Sequence, residues 1–216
     1  MELIEAIRST GSVRSFRPDP VDDATVAAVL DDARFAPSGG NRQPWRVAVV
    51  NDGALRVQLA EAMRPVWHEY LGANATGVTA FAYGRSIDAP PIVAPNPLLD
   101  RVTEVPVVLV VAADLGRIAL MDGALDRPAL TGGASVYPFC WNLLLAARAR
   151  GLGGVLTTFL SRVEPEVEAT LGLPSHHALA ATIFLGVPEH QPTRLARRPV
   201  GSFATRDRFD GVPFAG

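Results

Sequence analysis

The chain of 216 residues contains no lysine; all 20 of its basic residues are arginine. That absence excludes Schiff-base chemistry, a pyridoxal-phosphate lysine and a P-loop lysine. There is one cysteine, Cys140. It excludes an intramolecular disulfide framework and a cysteine-cluster metal site, and makes a reducing cytoplasm the expected setting. Charged residues make up only 19% of the chain against 48% apolar. This balance excludes disorder and calls for a large core or much surface covered by a partner. The formal net charge is −2 and the pI about 6.1. With no basic excess to neutralise phosphates, nucleic acid is not an expected partner. No apolar run reaches the ~18 residues of a membrane span, and the acidic start Met1–Glu5 does not read as a signal peptide. The four histidines, His68, His176, His177 and His190, have no ligand spacing on one helix face, so no metal is expected.

What is present alternates between helical and strand patterns, which makes the class mixed α and β and the length compatible with one domain over 1–216. Residues 2–9 read as a short helix with Leu3, Ile4 and Ile7 on its apolar face. Asp22-Asp23 is an N-cap for a helix over about 23–35 with Val26, Val29, Leu30 and Ala33 inward. Val47–Val50 is a strand, and a helix follows over 54–69. Val105–Ala113 is a near-continuous apolar strand of the kind buried on both faces. Helices over 134–150 and 164–171 and strands over 154–158 and 179–187 complete the pattern. The stretch 65–104, rich in proline towards its end, reads as a variable lid or substrate-binding excursion. Residues 188–216 carry no periodic element yet include Leu195, Val200, Phe203, Phe209 and Phe214. Such an apolar tail is expected to lie on another surface, that of a second subunit.

Two short motifs point nowhere. Gly151-Leu152-Gly153-Gly154 follows a helix instead of a strand, so it reads as a helix stop and not as a dinucleotide fingerprint. Gly133-Ala134-Ser135-Val136-Tyr137 lacks the second glycine of a nucleophile elbow. Cys140 sits in an apolar helix and reads as a small core residue.

Two segments do carry chemistry. Ser12-Val13-Arg14-Ser15-Phe16-Arg17-Pro18 follows a helix with donors for an anionic group. Pro37-Ser38-Gly39-Gly40-Asn41-Arg42-Gln43-Pro44 is a loop whose glycines let a backbone approach a planar ligand. Asn41 and Gln43 each offer donors and an acceptor, suited to a ring edge of alternating N–H and C=O.

Taken in order, Ser12-x-Arg14-x-Phe16, Ala36-Pro37-Ser38-x-x-Asn41-x-Gln43-Pro44-Trp45, the helix Asn142–Ala147 with Gly151-Leu152-Gly153, Gly172-Leu173-Pro174, Leu185-Gly186-Val187-Pro188 and the basic Arg194–Pro199 resemble the FMN-dependent nitroreductase family. The resemblance implies an α+β fold, a three-layer α/β/α sandwich with a mainly antiparallel central sheet, in an intertwined homodimer. It implies FMN as cofactor, NADH or NADPH as electron donor, and a small conjugated acceptor such as a nitroaromatic or quinone, reduced by a ping-pong reaction in which flavin N5 rather than a side chain carries the chemistry. Ser12 and Arg14 would contact the flavin from one subunit, and Pro37, Ser38, Gly39 and Asn41 from the other, with Gln43 also among the cofactor-binding residues. Main-chain groups of Thr157 and Thr158 would face the N5 edge, Ser135 would stand nearby, and Arg197 with Arg198 would hold the phosphate. Thr10 stands where family members commonly have arginine, which removes one phosphate donor unless Arg8 replaces it. Two further readings remain open at this point: a flavin-sequestering protein roofed by residues 85–97, and a specialised reaction such as dehalogenation, flavin-ring breakdown or deazaflavin reduction.

Overall fold

The central strand explains the architecture. In β2 (Val107–Asp114) no polar residue precedes Asp114, and every residue through Ala113 is buried. Successive side chains leave a strand on opposite faces. Val107, Leu109, Val111 and Ala113 therefore join one apolar core, and Val108, Val110 and Ala112 join a second. β1 (Trp45–Val49) and β4 (His177–Gly186) pair with it on either side, and β3 (Gly153–Thr157) pairs outside β4. The order is β1-β2-β4-β3 with every neighbouring pair antiparallel. The computed structural model describes residues 1–77, 79–83 and 89–214.

Helices cover both faces. On one side α2 (Asp23–Ala33) and α5 (Tyr137–Ala149) bury Val26, Val29, Phe139, Cys140 and Leu143. On the other, α3 (Gly53–Ala75), α4 (Pro97–Asp100), α6 (Phe159–Arg162) and α7 (Glu164–Leu171) bury Leu59, Met63, Leu98, Leu99, Leu160 and Val167. The expected three-layer α+β sandwich is thus the fold. Local signals also hold: the Asp22 carboxylate accepts from Thr25 N at 2.7 Å to cap α2, and Gly151, at φ 78°, ends α5 as a left-handed cap. Burial pushes the Cys140 thiol up to about 12, so it is an inert core residue.

The departures have physical causes. α3 runs to Ala75, six residues past its expected end, because its last two turns pack against α6 and residues 90–94. α5 starts at Tyr137, with a 3₁₀ turn over Thr131–Ser135 before it. β2 starts at Val107, two residues late. α1 (Leu3–Ser9) turns Ala6 and Ser9 inward and leaves Leu3, Ile4 and Ile7 exposed, the reverse of its apolar periodicity. The tail begins by packing on its own chain. A Cβ on Gly11 would meet Leu195 Cδ2 at 2.9 Å and Pro192 Cβ at 3.0 Å, which explains a glycine there. Beyond that contact Val200, Phe203, Phe209 and Phe214 are exposed. No described helix is long and apolar enough to cross a membrane. Within the segment 85–97, residues 85–88 lie outside the described residues.

Candidate functional site

The segment 12–17 runs beside β3 as an extended strip. Val13 N donates to Gly154 O at 2.9 Å and Arg17 N to Val187 O at 2.8 Å. Val13 and Phe16 are buried and fix the strip, so Arg14 and Ser15 face outward. Gly153 permits the approach, because a Cβ there would stand 2.7 Å from Val13 Cγ2. The two glycines opening β3 are therefore packing residues. Arg14 makes no ion pair or hydrogen bond among the described residues. Its guanidinium is an uncommitted cation, and arginine keeps its charge at any ordinary pH.

Arg14 lines a cavity of about 420 Å³ together with Ser15, Thr157, Thr158, Asn96 and Trp67. Thr157 pairs with Thr182 at the last rung of β3, so the main chain of Thr158 is free of the sheet ladder. Of the residues named from sequence, Arg14, Thr157 and Thr158 thus come together, 143 positions apart in the chain at their closest. Ser12, bridged to Gly154, stands beside them on the same strip. Trp67, Tyr70, Asn96 and Phe159 also line the cavity. They carry no motif, since long-range packing of α3, α4 and α6 brings them there.

The glycine-rich loop forms a second group. Gly40, Asn41 and Gln43 all have positive φ, at 59°, 53° and 48°. For asparagine and glutamine this is a strained backbone, and such strain gathers at functional sites. Polar bonds hold it: Ser38 Oγ accepts from Gln43 N at 3.0 Å, and Gln43 Nε2 donates to Asn41 Oδ1 at 3.0 Å. Ser135 belongs to this group, its Oγ accepting from Gly39 N at 3.0 Å. Pro37, Gly39, Asn41 and Gln43 are exposed. Trp45, half-buried, stacks on Phe139 at 4.7 Å and packs against the core.

Within one chain these groups do not meet. The loop precedes β1 and the Arg14 strip flanks β3, the two outer strands of a four-stranded sheet. Three strand spacings of about 4.8 Å separate those edges. Nor do the tail arginines reach either group: Arg197 donates to its neighbour Ala196 O at 2.8 Å, and both Arg197 and Arg198 are exposed. Thr10 is buried and its hydroxyl donates to Ala6 O at 2.7 Å, so it offers nothing to a ligand. Arg8 is exposed on α1.

The sequence profile of the nitroreductase family matches residues 7–187, which hold both groups. The chain belongs to the nitroreductase family. Among curated relatives of this nitroreductase-family chain, a Thermus thermophilus protein named NADH dehydrogenase is 31% identical over 88% of both chains. A 5,6-dimethylbenzimidazole synthase of Rhodospirillum rubrum is 33% identical, over 86% of this chain and 82% of its own. Among solved structures, the NADPH:FMN oxidoreductase of Vibrio harveyi complexed with NAD+ superposes with a TM-score of 0.70 at 22% identity, over 97% of this chain and 78% of that one.

Proposed function

We propose that the protein is an FMN-dependent oxidoreductase that takes hydride from NADH or NADPH and delivers it to a small conjugated acceptor. The observation that carries this reading is the uncommitted Arg14 cation in a cavity that Thr157 and Thr158, at the end of β3, also line. The residues fit the cofactor. Arg14 supplies a permanent cation against the negative charge that a flavin ring gains on reduction. Thr157 and Thr158 offer main-chain groups to a ring edge, and Ser12 stands beside them. The loop Pro37–Gln43, with Ser135 behind it, presents a glycine-opened backbone to a flat surface.

Because the two groups lie on opposite edges of one chain, the complete site is assembled from two chains, each giving its Arg14 strip to one site and its loop to the other. The exposed Leu3, Ile4 and Ile7, and the exposed Phe203, Phe209 and Phe214 of the tail, are the apolar surface that such a dimer covers. A tail laid on the partner also brings Arg197 and Arg198 to a cofactor phosphate there. FMN bound there would supply the hydride-accepting and hydride-donating ring, while the chain's own residues would bind it, orient it and supply charge. Burial of the ring between two chains excludes water from the transfer.

The test is the purified protein itself. Yellow material that releases FMN on denaturation, runs as a dimer, and is bleached by NADH or NADPH without oxygen is expected. Colourless monomer that stays apo in excess FMN refutes the reading. One observation favours a second reaction on the same seat. The 33% identity to a 5,6-dimethylbenzimidazole synthase extends over most of both chains, and that product shares the dimethylbenzene ring of isoalloxazine. Intact FMN recovered after aerobic incubation with reductant supports hydride delivery to an outside acceptor; a dimethylbenzimidazole product supports ring breakdown.

A further inference from the structure

The cavity that Arg14 lines also has an aromatic wall. Trp67 and Tyr70 of α3 stack at 6.0 Å between ring centroids with 20° between planes. Phe159 of α6 closes the cluster, 6.4 Å from Trp67 and 6.1 Å from Tyr70. All three rings line the 420 Å³ cavity, and among the described residues Arg14 is the only charged side chain that does. Among the described residues no acid lines it, so that lining offers nothing to a cation.

The wall is held from behind. Trp67 Nε1 donates to Ala94 O at 3.3 Å, and Ile92 N donates to His68 O at 3.1 Å. Gly72 lets that strap lie on the helix, since a Cβ there would stand 2.2 Å from Pro90 O. Arg162 of α6 donates to Glu69 Oε2 of α3 at 3.1 Å, tying the two helices that carry the rings, and lies over the Phe81 ring at 4.4 Å. These contacts fix the rings as a preformed surface, which is how a binding pocket avoids ordering costs on association.

We propose that Trp67, Tyr70 and Phe159 determine acceptor specificity: they stack on a planar, uncharged multi-ring acceptor and favour it over a single-ring one. The proposal rests on the hydride-transfer reading above and adds the residues that choose the substrate. An aromatic partner contributes by ring stacking and not by hydrogen bonding. The Tyr70 hydroxyl makes no hydrogen bond among the described residues, so its ring alone is in use.

The test compares the FMN-loaded wild type with Tyr70→Leu, Tyr70→Phe and Phe159→Leu. One measurement is the ratio of kcat/KM for menadione, with two fused rings, to that for p-benzoquinone, with one. The other, free of turnover, is calorimetric binding of coumarin, a redox-inert two-ring compound, without any electron donor. Both leucine variants are expected to lower the ratio and weaken coumarin about three- to tenfold, the range that ring stacking supports. Tyr70→Phe is expected to restore both. An unchanged ratio and unchanged coumarin affinity in both leucine variants overturn the proposal. So does loss of bound FMN in the leucine variants, which assigns the wall to the cofactor. Wild type that binds no FMN instead defeats the underlying reading, and is recognised before any variant is made.

Discussion

Arg56 offers the most direct test of the frame that carries the site. It is an arginine on α3, only 7% exposed, and no carboxylate pairs with it among the described residues. Its guanidinium instead serves three carbonyls: Nε donates to Val50 O at 2.8 Å, Nη1 to Val105 O at 2.6 Å and Nη2 to Pro106 O at 3.4 Å. Those acceptors are the exit of β1 and the entrance of β2, so one side chain ties α3 to the outer strand β1 and to the central strand β2. Burial pulls its pKa below the ordinary arginine value. Arg56→Met keeps the length of the apolar stem and removes every donor. Each buried carbonyl left without a partner costs about 1–3 kcal/mol. Two bonds are well made and the third is long, while relief of the buried charge offsets part of the loss. The net expectation is about 2–4 kcal/mol. For a chain of this length that lowers Tm by roughly 5–15 °C. Urea unfolding and thermal scans at fixed protein and cofactor concentration measure it, since ligand and dimerisation shift both. Arg56→Lys keeps a charge but has one donor head where the fork had three, and should recover less than half of the loss. A methionine variant within 1 kcal/mol of wild type refutes the reasoning.

Arg14→Ala is expected to lower the midpoint potential of bound FMN and slow its reduction; an unchanged potential removes Arg14 from the ring. Arg197→Ala should weaken FMN more than riboflavin in a binding titration, and equal losses place the phosphate elsewhere. Asp122 accepts from Thr131 Oγ1 at 2.5 Å, Leu130 N at 2.8 Å and Arg127 Nη1 at 2.6 Å, which holds its carboxyl well below the usual range. Its folded pKa is depressed, so its stabilising effect is full above the unfolded pKa of about 3.9. Asp122→Asn should therefore be less stable than wild type at pH 7, with a gap that narrows only as pH falls below about 4; a gap independent of pH across that range contradicts it. Gly72→Ala should push Pro90 away and speed hydrogen exchange at Ile92 N–H at least tenfold; unchanged exchange means that the strap is not seated by the glycine.

Much of the fold was legible because the signals were local. A run of seven buried apolar residues defines β2, and Asp22 caps α2 through its own side chain. Other elements were hidden for definite reasons. The second half of α3 contains Pro65, Gly72 and Asn74, poor helix formers whose propensity is overridden by packing on α6 and on the strap. α1 has a clear apolar face, but that face is exposed on this chain, so periodicity named the face and not its burial. The site divides in the same way. Loop 37–43 and the strip 12–14 are contiguous motifs and could be read directly. Asn96, Trp67 and Phe159 stand far apart in sequence and have no spacing rule between them.

By itself, then, the amino-acid sequence determined the alternation of helix and strand, the two-faced central strand, the lysine-free chemistry and the polar loop with its glycines. These depend on periodicity and on residue types within a few positions of each other. Only the tertiary structure decided that Arg14 meets Thr157 and Thr158, that loop and strip lie on opposite sheet edges, and that a buried arginine holds three carbonyls. Those facts depend on strand order and on which distant surfaces exclude water together, and no local pattern encodes either.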